Sequence, residues 1–122
     1  MTNDRASRKL NQMVEHSDGQ LDAVYSAIAH PVRRRVLEQL RPGGATVSEL
    51  AAPHRISLAA VSKHIRVLED AGLVQRSIHG REHHLVLEPH PLMTAAGWLD
   101  SYRRFWDARL DRLEARLREA RR

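Results

Sequence analysis

Cysteine is absent from this chain of 122 residues. Its absence excludes disulfides, thiolate metal sites and thiol nucleophiles, although it does not reveal the redox environment. The chain also has no long apolar run, and no charged segment followed by an apolar one, so we expect neither a membrane span nor secretion. These absences favour a small cytoplasmic domain without a cofactor, which association into a dimer would help to stabilise.

Aromatic residues are scarce: the chain has one Phe, two Trp and two Tyr, and all except Tyr25 fall between residues 98 and 106. From Leu92 onward the pattern predicts a helix with one apolar stripe, formed by Leu99, Tyr102, Trp106, Leu110, Leu113 and Leu117. This stripe either closes the core of the monomer or pairs with a second copy of the chain. We expect both roles, because a long terminal helix exposes more apolar length than so small a body covers.

The first part of the chain predicts two helices. Residues 1–19 carry apolar side chains at helical spacing and end at residues 18–19, an Asp-Gly pair that can turn the chain. A second helix begins near Leu21 and ends near His30, because Pro31 disfavours helical geometry in the residue before it. Pro31 itself suits the first position of a further helix.

The net charge of +5 is unevenly distributed. Residues 31–45 and residues 89–122 each carry a net +3, whereas residues 46–88 contain as many Lys and Arg as Asp and Glu. The run Arg33 to Arg35 is the largest local positive charge, and it is either a solvated face or a set of phosphate contacts. Bulk charge therefore supports nucleic-acid binding only weakly, and the placement of individual side chains has to decide the function.

A short helix, a tight turn and a longer helix are predicted in succession between residues 46 and 72. Thr46 and Glu49 have the spacing of a capping box, which predicts the start of the short helix. Ser57 can cap the longer helix, and Gly72 suits the left-handed residue that ends it. This order is typical of a helix-turn-helix.

The longer helix has two unlike faces. One is apolar and predicted to be buried, and it consists of Leu58, Val61, Ile65 and Leu68. The opposite face carries Ala59, Lys63 and Arg66, flanked by Ala60, Ser62 and His64. Small side chains permit close approach to a DNA groove, and the cations suit phosphate or guanine. An ordinary solvent-exposed helix is the alternative interpretation.

Two short β-like runs, residues 73–78 and 83–88, follow the longer helix. Gly80 lies between them and permits the positive φ of a hairpin turn. A hairpin in this position forms a wing, from which Arg76, His79, Arg81 and His83 can reach flanking phosphates or the minor groove. The alternative is a hairpin that only closes the core.

Catalysis and protein interaction are the competing classes of function. One histidine-rich cluster, His83, His84, Glu88 and His90, is the sole candidate for catalysis or metal binding. Neighbouring strand residues point to opposite faces, so this cluster offers no preorganised site, and we predict neither an enzyme nor a metal protein. The remaining hypothesis is a protein-interaction module that uses the terminal helix.

Four segments of the chain resemble the ArsR/SmtB family of winged-helix transcriptional regulators. They are residues 21–40 (LDAVYSAIAHPVRRRVLEQL), 47–52 (VSELAA), 60–75 (AVSKHIRVLEDAGLVQ) and 80–87. The resemblance spans about residues 20–110. Its Pro-x-Arg-Arg entry, its Ser-Lys-His-Ile block and its Ala-Gly-Leu-Val block are together far more specific than any one of them.

The resemblance implies a homodimer that binds double-stranded operator DNA and usually represses transcription, with the first and last helices forming the dimer contact. It places the start of the recognition helix at Ser57, its base- and phosphate-facing segment at residues 62–64, and the wing at Arg76, Gly80 and Arg81. The best-known metal sites of the family use cysteines, or Asp and His on the terminal helix. This chain has no Cys and no His after His90, so it is more similar to members without these sites. A regulator of the same fold that responds to a metal or small ligand is the alternative.

We therefore predict a mainly α winged helix-turn-helix with a small β-hairpin. Its parts are a helical arm (residues 1–19), a DNA-binding unit (20–90) and a dimerisation helix (91–122). The predicted DNA contacts are Ser57, Ala59, Ala60, Ser62, Lys63, His64, Arg66, Arg76, His79, Gly80 and Arg81. The predicted dimer contacts are Leu10, Met13, Leu21, Leu99, Tyr102, Trp106, Leu110, Leu113 and Leu117.

Overall fold

The computed structural model describes residues 18–122. Helix α1 includes residues 18–28, and the later helices are α2 (Pro31–Leu40), α3 (Val47–Ala51), α4 (Leu58–Asp70) and α5 (His90–Ala120). The strands are β1 (Ala45–Thr46), β2 (Val74–His79) and β3 (Glu82–Leu87), which form an antiparallel sheet in the order β1-β3-β2. A helix-turn-helix followed by a β-hairpin confirms the predicted winged helix-turn-helix fold.

Several features of the secondary structure differ from the sequence prediction. Asp18 and Gly19 are helical in α1 and do not form the predicted turn. Strand β1 was not predicted, because two residues are too short to show the alternation of a strand; it pairs with Leu85 and His84 of β3. Helix α5 begins at His90, slightly before the predicted start. Leu10 and Met13, with the rest of the predicted helical arm up to residue 17, lie outside the described residues.

The capped ends of α3 and α4 form as the sequence predicts. The N–H of Glu49 donates to the hydroxyl of Thr46 at 3.2 Å, and its carboxylate accepts from the N–H of Thr46 at 3.4 Å. The hydroxyl of Ser57 accepts from the N–H of Ala60 at 3.1 Å and thereby caps α4. At the other end of α4, Gly72 adopts a φ of +77°, and its N–H bonds to the carbonyl of Glu69 at 2.9 Å.

The core lies where α1, α2, α3, α4 and the sheet meet. Its buried side chains are Val24, Ala27, Val36, Leu37, Leu40, Leu50, Val61, Ile65, Leu68, Ala71, Leu73, Val74, Leu85 and Ala95. The prediction that Leu58 is also buried is wrong, because its side chain is 55% exposed. Side chains of a helix lean toward its N-terminus, so Leu58 at the first position of α4 leans beyond the end of the helix.

Within residues 18–122, helix α5 is attached to this core only by its first turns. Pro91 and Ala95 are buried, and the hydroxyl of Tyr25 on α1 donates to the carbonyl of Ala95 at 2.7 Å. All of residues 96–122 are exposed, although α5 has 31 residues and is therefore about 46 Å long. No described helix, α5 included, combines the length and the apolar character that a membrane crossing requires.

Candidate nucleic-acid interface

Helix α4 separates its buried and exposed faces as its sequence predicts, except at Leu58. Val61, Ile65 and Leu68 are fully buried, whereas Ala59, Lys63 and Arg66 on the opposite side are exposed. The flanking residues Ala60, Ser62 and His64 are half-buried. The body of the domain therefore holds α4 by one side and leaves a face of small and cationic side chains in solvent.

A groove of about 610 Å³ separates α4 from the β2–β3 hairpin. Its lining side chains are Ser62, Lys63, Arg66, Glu69 and Asp70 from α4, and Arg76 and His83 from the hairpin. Three Lys or Arg side chains and two carboxylates thus face one another. The part of the groove that Lys63 and Arg66 line is suited to an anion. In the part that Glu69 lines, its carboxylate offsets some of the positive charge.

Arg76 is fixed inside this groove by Glu69. Its Nε lies 3.2 Å from both carboxylate oxygens of Glu69, and its Nη2 lies 2.5 Å from Oε1. The third nitrogen, Nη1, lies 2.9 Å from Nδ1 of His83. The hydrogen bond to Glu69 raises the pKa of Arg76, so the guanidinium stays charged. This bidentate pair connects the wing to α4.

The tip of the hairpin is open to solvent. Gly80 has a φ of +65°, which confirms the predicted turn, and His79 and Arg81 beside it are exposed. On the outer face of the sheet, Nε2 of His84 lies 3.0 Å from a carboxylate oxygen of Glu82. Among residues 18–122, no group of three or more His, Asp or Glu side chains is arranged to hold a metal ion.

His64 points back from α4 toward the start of α2. Its ring stacks at a tilt on His30, with the centroids 4.3 Å apart, and its Nδ1 lies 3.2 Å from Nη1 of Arg33. Burial, together with the neighbouring charges of His30, Arg33 and His54, lowers the pKa of His64. The neutral imidazole is therefore favoured at this position.

Two members of the arginine run cap α1. Arg33 donates from Nε to the carbonyl of Ala27 at 2.6 Å and from Nη2 to the carbonyl of Ser26 at 3.0 Å. Arg34 donates from Nη1 to the carbonyl of Ile28 at 2.8 Å. These carbonyls end α1, where the helix dipole favours a cation. Two of the three arginines in the run therefore bind carbonyls within the protein, a role that neither sequence interpretation of the run included.

Comparison with known proteins shows which proteins this chain is similar to. A helix-turn-helix domain family matches residues 28–76. The HTH-type transcriptional regulator Rv2034 of Mycobacterium tuberculosis is 36% identical over 85 residues, which cover 70% of this chain and 77% of that protein. A crystal structure of an ArsR family transcriptional regulator is 38% identical, with a TM-score of 0.69 and coverage of 74% of this chain and 93% of that one. The chain belongs to the ArsR family of transcriptional regulators.

The transcriptional repressor SdpR of Bacillus subtilis is a more distant relative of this ArsR-family chain, 27% identical over 79 residues that cover 65% of the chain and 88% of that protein. These relatives are named as regulators of transcription, not as enzymes. The ArsR-family chain is accordingly a transcriptional regulator with a helix-turn-helix DNA-binding domain, and not an enzyme.

The predicted contact residues of this ArsR-family regulator fall into two groups. Ser57, Ala59, Lys63, Arg66, His79, Gly80 and Arg81 are exposed, whereas Ala60, Ser62, His64 and Arg76 are half-buried. Of the second group, His64 and Arg76 already have partners within the chain. Contact of each residue with DNA stays a prediction.

Sequence reasoning missed Glu69 and assigned Arg33 only to the arginine run. Glu69 lies on the half-buried flank of α4 and is seven positions from Arg76, across the turn that begins the wing. Arg33 reaches His64 across 31 positions. No spacing in the sequence indicates such contacts, because they depend on how α4 packs against α2 and β2.

Proposed function

We propose that this chain is a homodimeric, sequence-specific repressor that binds a pseudo-palindromic operator in the cytoplasm. The observation that carries the proposal is the exposed face of α4, where Ala59, Lys63 and Arg66 stand opposite a fully buried apolar face. Ala59 permits close approach to base edges, while Lys63 and Arg66 supply phosphate affinity or a bidentate contact with guanine. The relative SdpR is named as a repressor, which supports repression and not activation as the effect of binding.

The predicted DNA contacts extend from α4 to the wing. Ser57 and Ser62 offer uncharged hydrogen bonds. His79, Gly80 and Arg81 form the hairpin tip, which reaches flanking phosphates or the minor groove. Arg76 contributes to positioning from within the groove. Repression is then steric, since an occupied promoter excludes polymerase.

The apolar stripe of α5 supports dimerisation. Leu99, Tyr102, Trp106, Leu110, Leu113 and Leu117 are each between 52% and 57% exposed. At 100° per residue they lie within about 80° of one another around the helix axis, so they form one continuous surface. A continuous apolar surface of this length is typical of an interface, and a second copy of α5 covers it with a matching stripe. Leu21 on α1, the other predicted dimer contact within the described residues, is partly buried and packs against the core of the monomer.

Selection of binding sites from random duplex DNA tests the proposal. A dimer places its two recognition helices about 34 to 36 Å apart, so we expect an enriched palindrome with half-sites one helical turn apart. Light scattering with and without the enriched duplex measures the stoichiometry. A strictly monomeric protein, or one with no preference among duplexes at low salt, contradicts the proposal. In that case the exposed stripe of α5 favours a protein-interaction module instead.

A further inference from the structure

Arg33 connects three helices at one point. Two of its nitrogens bind the last carbonyls of α1, while Nη1 reaches His64 in the middle of α4. Arg33 itself belongs to the first turn of α2. A single guanidinium therefore joins the end of one helix to the flank of the helix that carries the exposed cationic face.

We propose that Arg33 is a positioning residue, which fixes the rotation of α4 through His64 and thereby orients Lys63 and Arg66 without contacting DNA itself. The inference rests on the proposed DNA-reading role of α4. It gives His64 the part of an acceptor inside the protein, in place of the base or phosphate contact that the family resemblance implies.

The need for such a contact follows from the way α4 is held. Val61, Ile65 and Leu68 anchor the helix through apolar burial, which is not directional. Aliphatic contacts alone permit small rotations of a helix about its axis. The pair of Glu69 and Arg76 also holds α4, but in its last turn, whereas Arg33 bonds to His64 in the middle of the helix. A hydrogen bond weakens steeply when its angle departs from linearity, so the bond between Arg33 and His64 penalises such rotation. His64 directly follows Lys63, and any rotation that breaks the bond also moves Lys63.

The donors and acceptors at this point determine one protonation state. An arginine has only donors, so Nδ1 of His64 must accept, which requires a neutral ring with its proton on Nε2. His30, stacked on the other side, accepts from the N–H of Val32 through its own Nδ1 at 3.1 Å. The charged or titratable groups that influence His64 are thus His30 and Arg33 of the α2 start and His54 of the α3–α4 turn. Burial of the ring and each of these neighbouring groups disfavour a positive charge on His64, which agrees with its lowered pKa.

The first test uses the free protein and needs no DNA. Nitrogen-detected NMR of the histidine rings reports the tautomer and the titration midpoint of His64 in the wild type, in Arg33→Lys and in Arg34→Lys. Lysine keeps the charge but replaces the guanidinium fork by one compact ammonium, which does not span the carbonyls of α1 and His64 together. We expect Arg33→Lys to raise the midpoint of His64 and loosen its tautomer preference. Arg34→Lys is the matched control, because Arg34 caps α1 only at Ile28, and it leaves His64 unchanged.

The second test measures affinity for the duplex enriched by selection, at several salt concentrations. We expect Arg33→Lys to weaken binding about tenfold with an unchanged salt slope, because a misplaced helix loses fit while the number of neutralised phosphates stays the same. Arg34→Lys stays within about twofold of the wild type. His64→Gln retains more affinity than His64→Ala, because the side-chain carbonyl of Gln still accepts from Arg33. If Arg33→Lys does not fold, this pair of His64 variants carries the test.

The outcomes separate the inference from the proposed function. Failure of the wild type to enrich any duplex contradicts the proposed function, whereas an unchanged NMR signal of His64 in Arg33→Lys contradicts this inference alone. Near wild-type affinity for Arg33→Lys also overturns the inference, because it indicates that α4 does not need the guanidinium fork of Arg33. A further variant, Arg33→Gln, removes the charge; a salt slope that falls by about one in this variant indicates direct contact of Arg33 with a phosphate and likewise overturns the inference. Equal affinities for His64→Gln and His64→Ala have the same consequence.

Discussion

The guanidinium of Arg76 on β2 binds both carboxylate oxygens of Glu69 on α4, with nitrogen-to-oxygen distances of 2.5 and 3.2 Å. Both side chains are 26% exposed, so the pair is partly shielded from solvent. It connects the wing to α4 and at the same time removes one cation from the groove that Lys63 and Arg66 share. Glu69 therefore affects both the geometry and the charge of the DNA-binding surface.

We expect Glu69→Gln to strengthen binding to random duplex DNA. The substitution releases Arg76 and raises the charge of the groove by one unit, so the salt slope should become steeper by about one phosphate. Affinity for the selected operator should rise less, and the specificity ratio should fall. Titration of both duplexes at several salt concentrations measures these effects. Asp70→Asn is the matched control, since it changes the charge equally but leaves the pair of Arg76 and Glu69 intact. Identical salt slopes for the two variants would argue against a special role of Glu69.

We expect Lys63→Ala and Arg81→Ala each to weaken operator binding and to reduce the salt slope by about one. Both side chains are exposed, one on α4 and the other at the wing, so neither substitution should change the association state or the stability appreciably. Fluorescence titration and light scattering check the two statements. Arg41→Ala removes an equal charge at the end of α2 and serves as the control. Unchanged salt-dependent binding in both variants would remove Lys63 and Arg81 from the interface.

We expect Leu110→Glu to dissociate the proposed dimer, because it places a charge in the middle of the apolar stripe of α5. Ala115→Glu introduces the same charge on the opposite side of α5, about 140° away around the axis, and should leave the dimer intact. Sedimentation velocity over a range of protein concentrations distinguishes the two variants. Dimers of equal strength in both would place the interface elsewhere.

We expect Thr46→Ala to lower the free energy of unfolding by about 1 kcal/mol, since it removes the hydroxyl that caps α3. Urea denaturation at one fixed protein concentration measures the change. Ser48→Ala, which removes an exposed hydroxyl from the same helix, should have a much smaller effect. A loss for Thr46→Ala no greater than that for Ser48→Ala would indicate that the capping box contributes little.

We expect the chain to lose stability when the pH falls below the ordinary histidine value of 6.5, in part because of His64. The folded-state pKa of His64 is lowered, so between that pKa and 6.5 the unfolded chain binds more protons than the folded one. The free energy of unfolding therefore falls as the pH falls through this window, and the loss is complete below the folded-state pKa. Denaturation at pH 7.5 and pH 5.5 should show a smaller decrease for His64→Gln than for the wild type. An equal decrease in the two proteins would contradict this contribution of His64.

The local elements of this fold are predictable from the sequence because each depends on interactions among a few neighbouring residues. The capping box at Thr46, the cap at Ser57 and the left-handed residue Gly72 each depend on a few neighbouring residues. Pro31 likewise ends one helix and begins the next. The periodicity of Val61, Ile65 and Leu68 correctly predicted which face of α4 is buried. The same periodicity predicted a buried Leu58, but this side chain is exposed because Leu58 is the first residue of the helix.

The partners of individual polar side chains were not predictable in this way. Arg33 and Arg34 have nearly the same sequence surroundings, yet only Arg33 reaches α4. Arg76 was assigned to the wing as a free cation, and the structure pairs it with Glu69. Strand β1 forms only because the chain after α2 passes beside β3.

The sequence by itself determined where α2, α3 and α4 begin, where α4 ends, which side of α4 enters the core, and that a hairpin follows, since backbone propensity and apolar periodicity operate over a few residues. The tertiary structure alone decided which cations remain free and which are bound inside the protein. A hydrogen bond between side chains depends on distances of a few ångströms between elements distant in the chain, and those distances exist only once the helices and the sheet have packed.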